Sequence, residues 1–282
     1  MLTVLFWNLA GKPLGDLVAN LTHRHAVDLL ILAECPLTSG DLLAVLNRQN
    51  NPPFQPPDPG SLCPALLVVP RFDPKHLTRS AESPRYTGRH LSLAGRSDLL
   101  LFAVHLPSKL YQSVASQASA LPVLAARIRG LEQTLGHDRT ILVGDLNMNP
   151  FEDGLVIAQG INAVMTRELA LRGGRSVDKV RYPFFYNPMW GHFGDATHEI
   201  HPLGTDEHRP AGTCYYPARE SRWYYWNVYD QVLLRPSLLP FFRNQELRVL
   251  VTDGVSSLLN ASGLPDQTRA SDHLPLLFRL HI

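Results

Sequence analysis

The chain has 282 residues, 45% of them hydrophobic, enough for a sizeable core in one large α/β domain or two small ones, which excludes a disordered chain. A formal net charge of +1 excludes a global field that holds a polyanion, so any nucleic-acid contact has to use a local basic patch. The three cysteines, Cys35, Cys63 and Cys214, form no CxxC and no even set, and no apolar run reaches the roughly 18 residues of a membrane span, so a reducing, cytoplasmic setting is expected.

Residues 2–7 are a continuous β-type run that suits a strand buried on both faces, ending in Asn8. No basic leader precedes it, so no signal peptide is expected. Leu14, Leu17, Val18 and Leu21 keep helical spacing, and a second apolar run over 28–33 ends in Glu34. Strand, helix, strand predicts a right-handed crossover between parallel neighbours, which puts Asn8 and Glu34 at one sheet edge. Residues 38–50 read as a helix capped by Thr38 or Ser39, and the five prolines of 51–59 as a loop. A strand is expected over 65–69, while 70–88 is polar and carries no predicted element. Leu91-Ser92-Leu93 and residues 99–104 read as a hairpin around Gly95-Arg96-Ser97-Asp98, its second strand ending in His105. Residues 116–135 form the longest helical pattern.

The helix delivers the chain to Ile141-Leu142-Val143-Gly144-Asp145-Leu146-Asn147, a buried strand ending in a carboxylate and an amide two residues apart on one face. Such groups are poor core residues and good site residues, although an isolated Gly-Asp-x-Asn also suits a plain polar turn, and a lone strand-end histidine a structural role. Residues 160–217 lose periodicity, gather Arg167, Arg172, Arg175, Lys179 and Arg181, and then run through Tyr182 to Trp190. A long irregular stretch of this kind is functional or mobile. Aromatic strands are expected over 213–216 and 223–226, a strand with Asp230 in it over 228–234, and a last strand over 274–278 behind Ser271-Asp272-His273.

Asn8, Glu34, His105, Asp145, Asn147, Asp230, Asp272 and His273 thus lie at or beside ends of apolar strands. Converging carboxylates repel, which raises a pKa or calls for a cation. Glu34, Asp145 and Asp272 offer the hard oxygens that Mg²⁺ or Mn²⁺ prefers. A divalent ion with imidazole and amide donors is the equipment of phosphodiester hydrolysis.

Phe6-Trp7-Asn8, Leu32-Ala33-Glu34, Val104-His105-Leu106-Pro107-Ser108, Gly144-Asp145-Leu146-Asn147, Tyr229-Asp230-Gln231-Val232 and Ser271-Asp272-His273 occur in the order of the endonuclease/exonuclease/phosphatase, DNase I-like superfamily, which the chain resembles over nearly its whole length. The resemblance implies one domain over 1–282, with the irregular insertion at about 160–217. Its fold would be a four-layer α/β (α+β) sandwich, two mixed β-sheets face to face with outer helices. It implies that Glu34 ligates Mg²⁺ or Mn²⁺, with Asn8 and Asp272 near it. Asp145 would orient or deprotonate water, and Asn147 would hold the phosphate or the water. His273, held by Asp230, would donate to the scissile phosphate, and His105 would be a second phosphate-facing histidine. Two departures stand out: the carboxylate that often supports the counterpart of His105 has Glu82 as its candidate, and Gln231 stands where relatives often carry an apolar or basic residue.

Tyr186, Asn187, Trp190, Arg222 and Trp226 are the expected substrate contacts, since basic side chains among aromatics suit a nucleic-acid strand, with DNA favoured over RNA. The competing reading places these aromatics in the core between the sheets. A small phosphoester or phospholipid headgroup is the alternative substrate, and a non-catalytic binding module of the same fold the second alternative. The complete Glu, Asp and His set speaks for catalysis. His192, Asp195, His198, Glu199, His201, Asp206, Glu207 and His208 form another acidic and histidine-rich run, expected to be a solvated loop because His198-Glu199-Ile200-His201 lacks the HExxH spacing.

Overall fold

The computed structural model describes residues 1–48, 50–109, 114–194, 210–217 and 224–282. In chain order its first half runs β1 (Leu2–Asn8), α1 (Gly15–Arg24), β2 (Leu29–Ala33), α2 (Ser39–Leu46), β3 (Leu66–Pro70), β4 (Leu77–Ser83), β5 (Tyr86–Leu91), β6 (Leu99–His105), α3 (Val114–Leu135) and β7 (Thr140–Asp145). There follow α4 (Asp153–Val156), β8 (Ala163–Val164), α5 (Arg167–Ala170), β9 (Gly174–Val177), β10 (Val180–Pro183), β11 (Phe185–Tyr186), β12 (Cys214–Tyr215), β13 (Trp226–Asn227), β14 (Asp230–Leu234), β15 (Arg248–Val249) and β16 (Leu276–Leu280).

Two mixed sheets result, a five-stranded one in the order β15-β16-β1-β2-β3 and a seven-stranded one in the order β4-β5-β6-β7-β14-β11-β8. The expected parallel pairing of β1 with β2 around α1 is present, and β6 with β7 repeats it around α3. The sheets pack face to face over one continuous apolar core. A second cluster lies on the outer face of the seven-stranded sheet, where α3 sets Leu121, Leu124, Ala125 and Ile128 against Leu100, Phe102, Leu142 and Leu233. On the five-stranded sheet, Val18 and Leu21 of α1 and Leu42 and Leu46 of α2 join the main core. The fold is therefore an α/β sandwich with helices outside.

The predicted strands and helices recur within a few residues. Thr38 is the cap of α2, its hydroxyl accepting the Asp41 N–H at 3.2 Å. Gly144 has φ +147°, and a Cβ there would lie 1.9 Å from the Val104 carbonyl oxygen, so β6 and β7 approach this closely because residue 144 has no side chain.

Two stretches differ from expectation. The polar residues 70–88 contain β4 and the first half of β5, and it is Tyr86–Leu91, not residues 91–93, that pairs with β6. These strands hide charge in pairs instead of showing an apolar face: buried Arg89 meets Glu82 at 2.7 Å and Asp58 at 2.6 Å. Within the expected insertion, β8 and β11 extend the seven-stranded sheet beyond β14.

Candidate active site

Side chains alternate along the strands of the seven-stranded sheet. Ile141 and Val143 of β7 face the core between the sheets, and Leu142 faces α3, so Asp145 takes the next inward position. The same count makes His105 inward after Leu101 and Ala103 on β6, and Asp230 inward before Val232 and Leu234 on β14. Register then sets the three side by side, with His105 and Asp230 the partners of Asp145 on its two flanks.

The five-stranded sheet contributes from the other side. The Asn8 side-chain oxygen accepts the Ala10 N–H at 2.9 Å, which turns its NH₂ toward Glu34 Oε1 (3.3 Å) and Asp145 Oδ2 (3.0 Å). Asn8 therefore ties the two sheets together at their common edge. The loop before β16 is pinned in the same place: Trp7 Nε1 donates to the His273 carbonyl at 2.8 Å, and Ser271 Oγ donates to the Asn8 carbonyl at 2.7 Å and accepts the His273 N–H at 3.1 Å. Glu34 (φ +49°) and Asn147 (φ +50°) sit in the left-handed region, which costs a non-glycine residue on the order of 1–3 kcal/mol and gathers at functional sites. Asn147 reaches the site by this turn and not by strand alternation. Its N–H donates to Asp145 Oδ1 at 2.8 Å and its NH₂ to the Leu106 carbonyl at 2.9 Å.

One cavity of about 210 Å³ is lined by Asn8, Glu34, His105, Asp145, Asn147, Asp272 and His273 together. His105 Nε2 lies 3.2 Å from Glu34 Oε1 and 3.8 Å from Asp145 Oδ2. Behind the cavity wall, fully buried Asp230 holds His273 Nδ1 at 2.8 Å, which leaves Nε2 as the nitrogen for chemistry in the cavity. Burial is the largest single influence and pulls the His273 pKa down, but the Asp230 carboxylate and the Cys214 side chain together outweigh it, so the imidazole holds its proton well above its usual range. Burial raises the Asp145 pKa, reinforced by Asp230 and opposed by the two imidazoles. The His105 hydrogen bond lowers Glu34, against a smaller rise from burial.

Asp145, Asp230 and His273 present ligand atoms within 4.8 Å of one another. His273 and Asp230 already satisfy each other, so this trio reads as a proton-holding pair beside an acid. The open Glu34 carboxylate and the half-buried Asp272 carboxylate line the same cavity and are the other hard oxygen donors there. Asn8 orients Glu34, its NH₂ and not its oxygen facing the carboxylates.

The other expected contacts fall elsewhere. Tyr186 is buried in the core, its hydroxyl accepting from Asn244 at 2.8 Å, and fully buried Asn187 donates to Gln231 Oε1 at 2.7 Å. Both are corrected from substrate contacts to packing residues, since neither side chain reaches the cavity. Gln231, the unusual neighbour of Asp230, completes that bond and donates to the Val228 carbonyl at 2.9 Å. Trp190 packs on Phe151 at 6.3 Å between ring centres, and half-buried Trp226 packs edge-on against Tyr215 at 5.4 Å; they belong to an aromatic surface outside the cavity. Arg222 lies outside the described residues, as do residues 195–209, so of the second histidine-rich run His192 alone is placed, buried at the end of a short turn. Glu82 does not support His105. It is spent on Arg89, Ser61, Thr87 and the Leu62 N–H, and His105 Nδ1 is buried without a partner among the described residues.

The cavity is also lined by Ser108, Lys109, Cys214, Tyr216 and Tyr229, to which sequence reasoning gave no role in the site. Lys109 and Tyr229 had a local signal, standing four residues after His105 and directly before Asp230. Cys214 had none, because it reaches the site through its bridge to His273.

No protein-family model and no curated protein sequence matches the chain. Solved structures do. The chain is similar to the human Nocturnin catalytic domain with bound sulfate anion, at 14% identity and a TM-score of 0.54 over 98% of this chain and 93% of that one. An endonuclease/exonuclease/phosphatase family protein from Bacteroides thetaiotaomicron matches at 13% and 0.52 over 98% and 96%, and D. rerio TDP2 complexed with single strand DNA product at 14% and 0.50 over 98% and 97%. The chain has the fold of these structures, in accord with the fold that the order of its strand-end motifs implied. At these identities the likeness carries the fold, and the chemistry rests on the residues of this chain.

Proposed function

We propose that the chain is a divalent-metal-dependent phosphodiesterase that hydrolyses nucleic acid, DNA in preference to RNA. The observation that carries this reading is the meeting of Glu34, His105, Asp145, Asn147, Asp272 and the Asp230-held His273 around one cavity, from strand ends up to 239 residues apart in the chain. Glu34 and Asp272 hold Mg²⁺ or Mn²⁺, which supplies charge stabilisation to the phosphate oxygens when bound. His273 keeps its proton through Asp230 and donates it by Nε2 to the phosphate. Asp145 accepts from Asn147 N–H and Asn8, which fixes its carboxylate to orient the attacking water or take its proton. Asn147 is held by Leu106 at the floor of the site, and His105 faces the phosphate from the Glu34 side.

The size of the cavity, about 210 Å³, admits a phosphate and its flanking atoms, whereas whole drug-sized ligands take some 300–1,000 Å³. The remainder of a substrate must lie across the surface outside. The surface that continues from the cavity is aromatic: Tyr224 and Tyr225 are more than half exposed, and Tyr215 stacks with Tyr225 at 6.3 Å. Such rings suit stacked bases. A structure of the same fold holds a single-stranded DNA product, in accord with that use.

The test is a panel of plasmid DNA, single-stranded DNA, RNA and phosphoinositides, each with Mg²⁺, Mn²⁺ or EDTA. DNA cleavage with the metals and none in EDTA is expected. Asp145→Ala and His273→Ala are expected to lose at least a hundredfold in kcat while keeping the wild-type circular dichroism spectrum. Cleavage of the phosphoinositides alone would replace the nuclease reading by the small-phosphoester one.

A further inference from the structure

We infer that Lys109 forms a second phosphate subsite in the wall of the cavity, which selects a substrate carrying another phosphate beside the one cleaved. The inference rests on the phosphodiesterase reading of the same site. Among the described residues lining the cavity, Lys109 is the one lysine or arginine, in a pocket that also holds Glu34, Asp145 and Asp272. A polyanion that enters a cavity lined by carboxylates gains from a fixed positive charge in the same wall.

The position of Lys109 is built rather than incidental. Its ammonium donates to Glu152 and sits 5.2 Å from the centre of the Tyr229 ring. The stem is four-fifths buried, and the Glu152 carboxylate is more so, with side-chain exposures of 18% and 12%. Glu152 Oε1 also accepts the Asn149 N–H at 2.8 Å, while the Asn149 side chain binds Asn227 Oδ1 and the Val228 N–H, both at 2.9 Å. One network thus fixes Lys109, the loop after Asp145 and the strand leading to Asp230. An ammonium has three donors, and among the described residues Glu152 is the hydrogen-bond acceptor it meets. It meets no other acceptor among the described residues, and the side chain lines the cavity.

The chain's architecture gives the subsite a direction. Glu34 comes from the five-stranded sheet, whereas Lys109 and Glu152 belong to loops that lead into α3 and α4, outside the seven-stranded sheet. Phe151 precedes Glu152 and packs edge-on against Tyr224 at 5.4 Å, so the path past Lys109 opens onto the exposed aromatic surface. A strand whose scissile phosphate lies between Asp145 and His273 would set its next phosphate at Lys109 and its next bases on Tyr224 and Tyr225. An ester with a single phosphate uses none of this.

The experiment compares K109Q and K109R with wild type on octathymidylate and on thymidine 5′-p-nitrophenyl phosphate, which carries one phosphate. K109Q is expected to raise KM for octathymidylate about tenfold with little change in kcat, while K109R restores it. The slope of log Kd against log salt, read with the same oligonucleotide in EDTA, is expected to fall by roughly one charge, about 0.7 for a single strand. Equal loss on both substrates would put Lys109 on the scissile phosphate and overturn the inference, as would no loss on either. Thermal melts check that both variants are folded. A wild type that cleaves neither substrate with either metal would instead overturn the phosphodiesterase reading, and the inference with it.

Discussion

At the scale of single residues, the pair His273–Asp230 decides how the site answers to pH. Burial alone favours neutral imidazole, and the carboxylate 2.8 Å away, aided by Cys214, reverses the balance. Asp230→Asn keeps the shape and removes that charge, so burial then governs and the proton leaves at lower pH. If His273 acts as the protonated donor, the alkaline limb of kcat/KM moves to lower pH in the variant. Stability has a definite sign as well. The folded pKa of His273 lies above the unfolded value of about 6.5, so its contribution is complete below that pH and is lost as pH rises through the folded value. Denaturant midpoints of wild type should fall above about pH 6.5, and those of Asp230→Asn should fall less over the same interval. Parallel curves for the two proteins would contradict the charge assignment.

At the scale of elements, the tie between α3 and the far edge of the seven-stranded sheet is a buried ion pair. Arg235, at the end of β14, meets Glu132 of α3 at 2.8 and 3.1 Å, donates to the Pro183 and Phe184 carbonyls at 3.0 Å each, and lies 3.9 Å over the Phe185 ring. Arg235→Met leaves a carboxylate and two carbonyls unpaired in the interior and should cost about 3–5 kcal/mol in guanidinium unfolding. Adding Glu132→Leu should recover part of that loss, because the uncompensated charge is then gone. Additive losses would mean that the two side chains stand independently. The same elements show what a sequence displays and what it conceals. Strands β1, β2, β6 and β7 were legible because buried strands are apolar throughout, so that a polar residue at the end, Asn8, Glu34, His105 or Asp145, stands out. Strands β4 and β5 were not, since Arg89, Glu82 and Asp58 neutralise one another across space and look solvated in one dimension. Tyr186 and Asn187 were misplaced for a related reason. A tyrosine with a partner for its hydroxyl is as good a core residue as it is a binding surface, and the partner, Asn244, lies 58 residues away.

At the scale of the whole molecule, the candidate metal position lies where the two sheets meet. Glu34 and Asp272 come from the five-stranded sheet and its loops, while His105 and Asp145 close the cavity from the other. Asn8 bridges them with one hydrogen bond to each carboxylate. An ion held there is bound by the assembled sandwich and has no comparable site once the sheets separate, so its binding energy adds to the stability of the fold. Mg²⁺ or Mn²⁺ at about a hundred times its dissociation constant should stabilise the protein by ~2.7 kcal/mol, read as a rise in the unfolding midpoint against a monovalent salt of equal ionic strength. Glu34→Gln and Asp272→Asn should each abolish most of that rise. Without metal, Glu34→Gln should be somewhat less stable than wild type, because it loses the His105 partner that lowers the Glu34 pKa. His105→Gln, which alters the cavity without removing a carboxylate, should keep most of the metal response. A wild type whose midpoint ignores both cations would remove the metal from the mouth of the cavity, and loss of the response in His105→Gln alone would move its ligands to the histidine side.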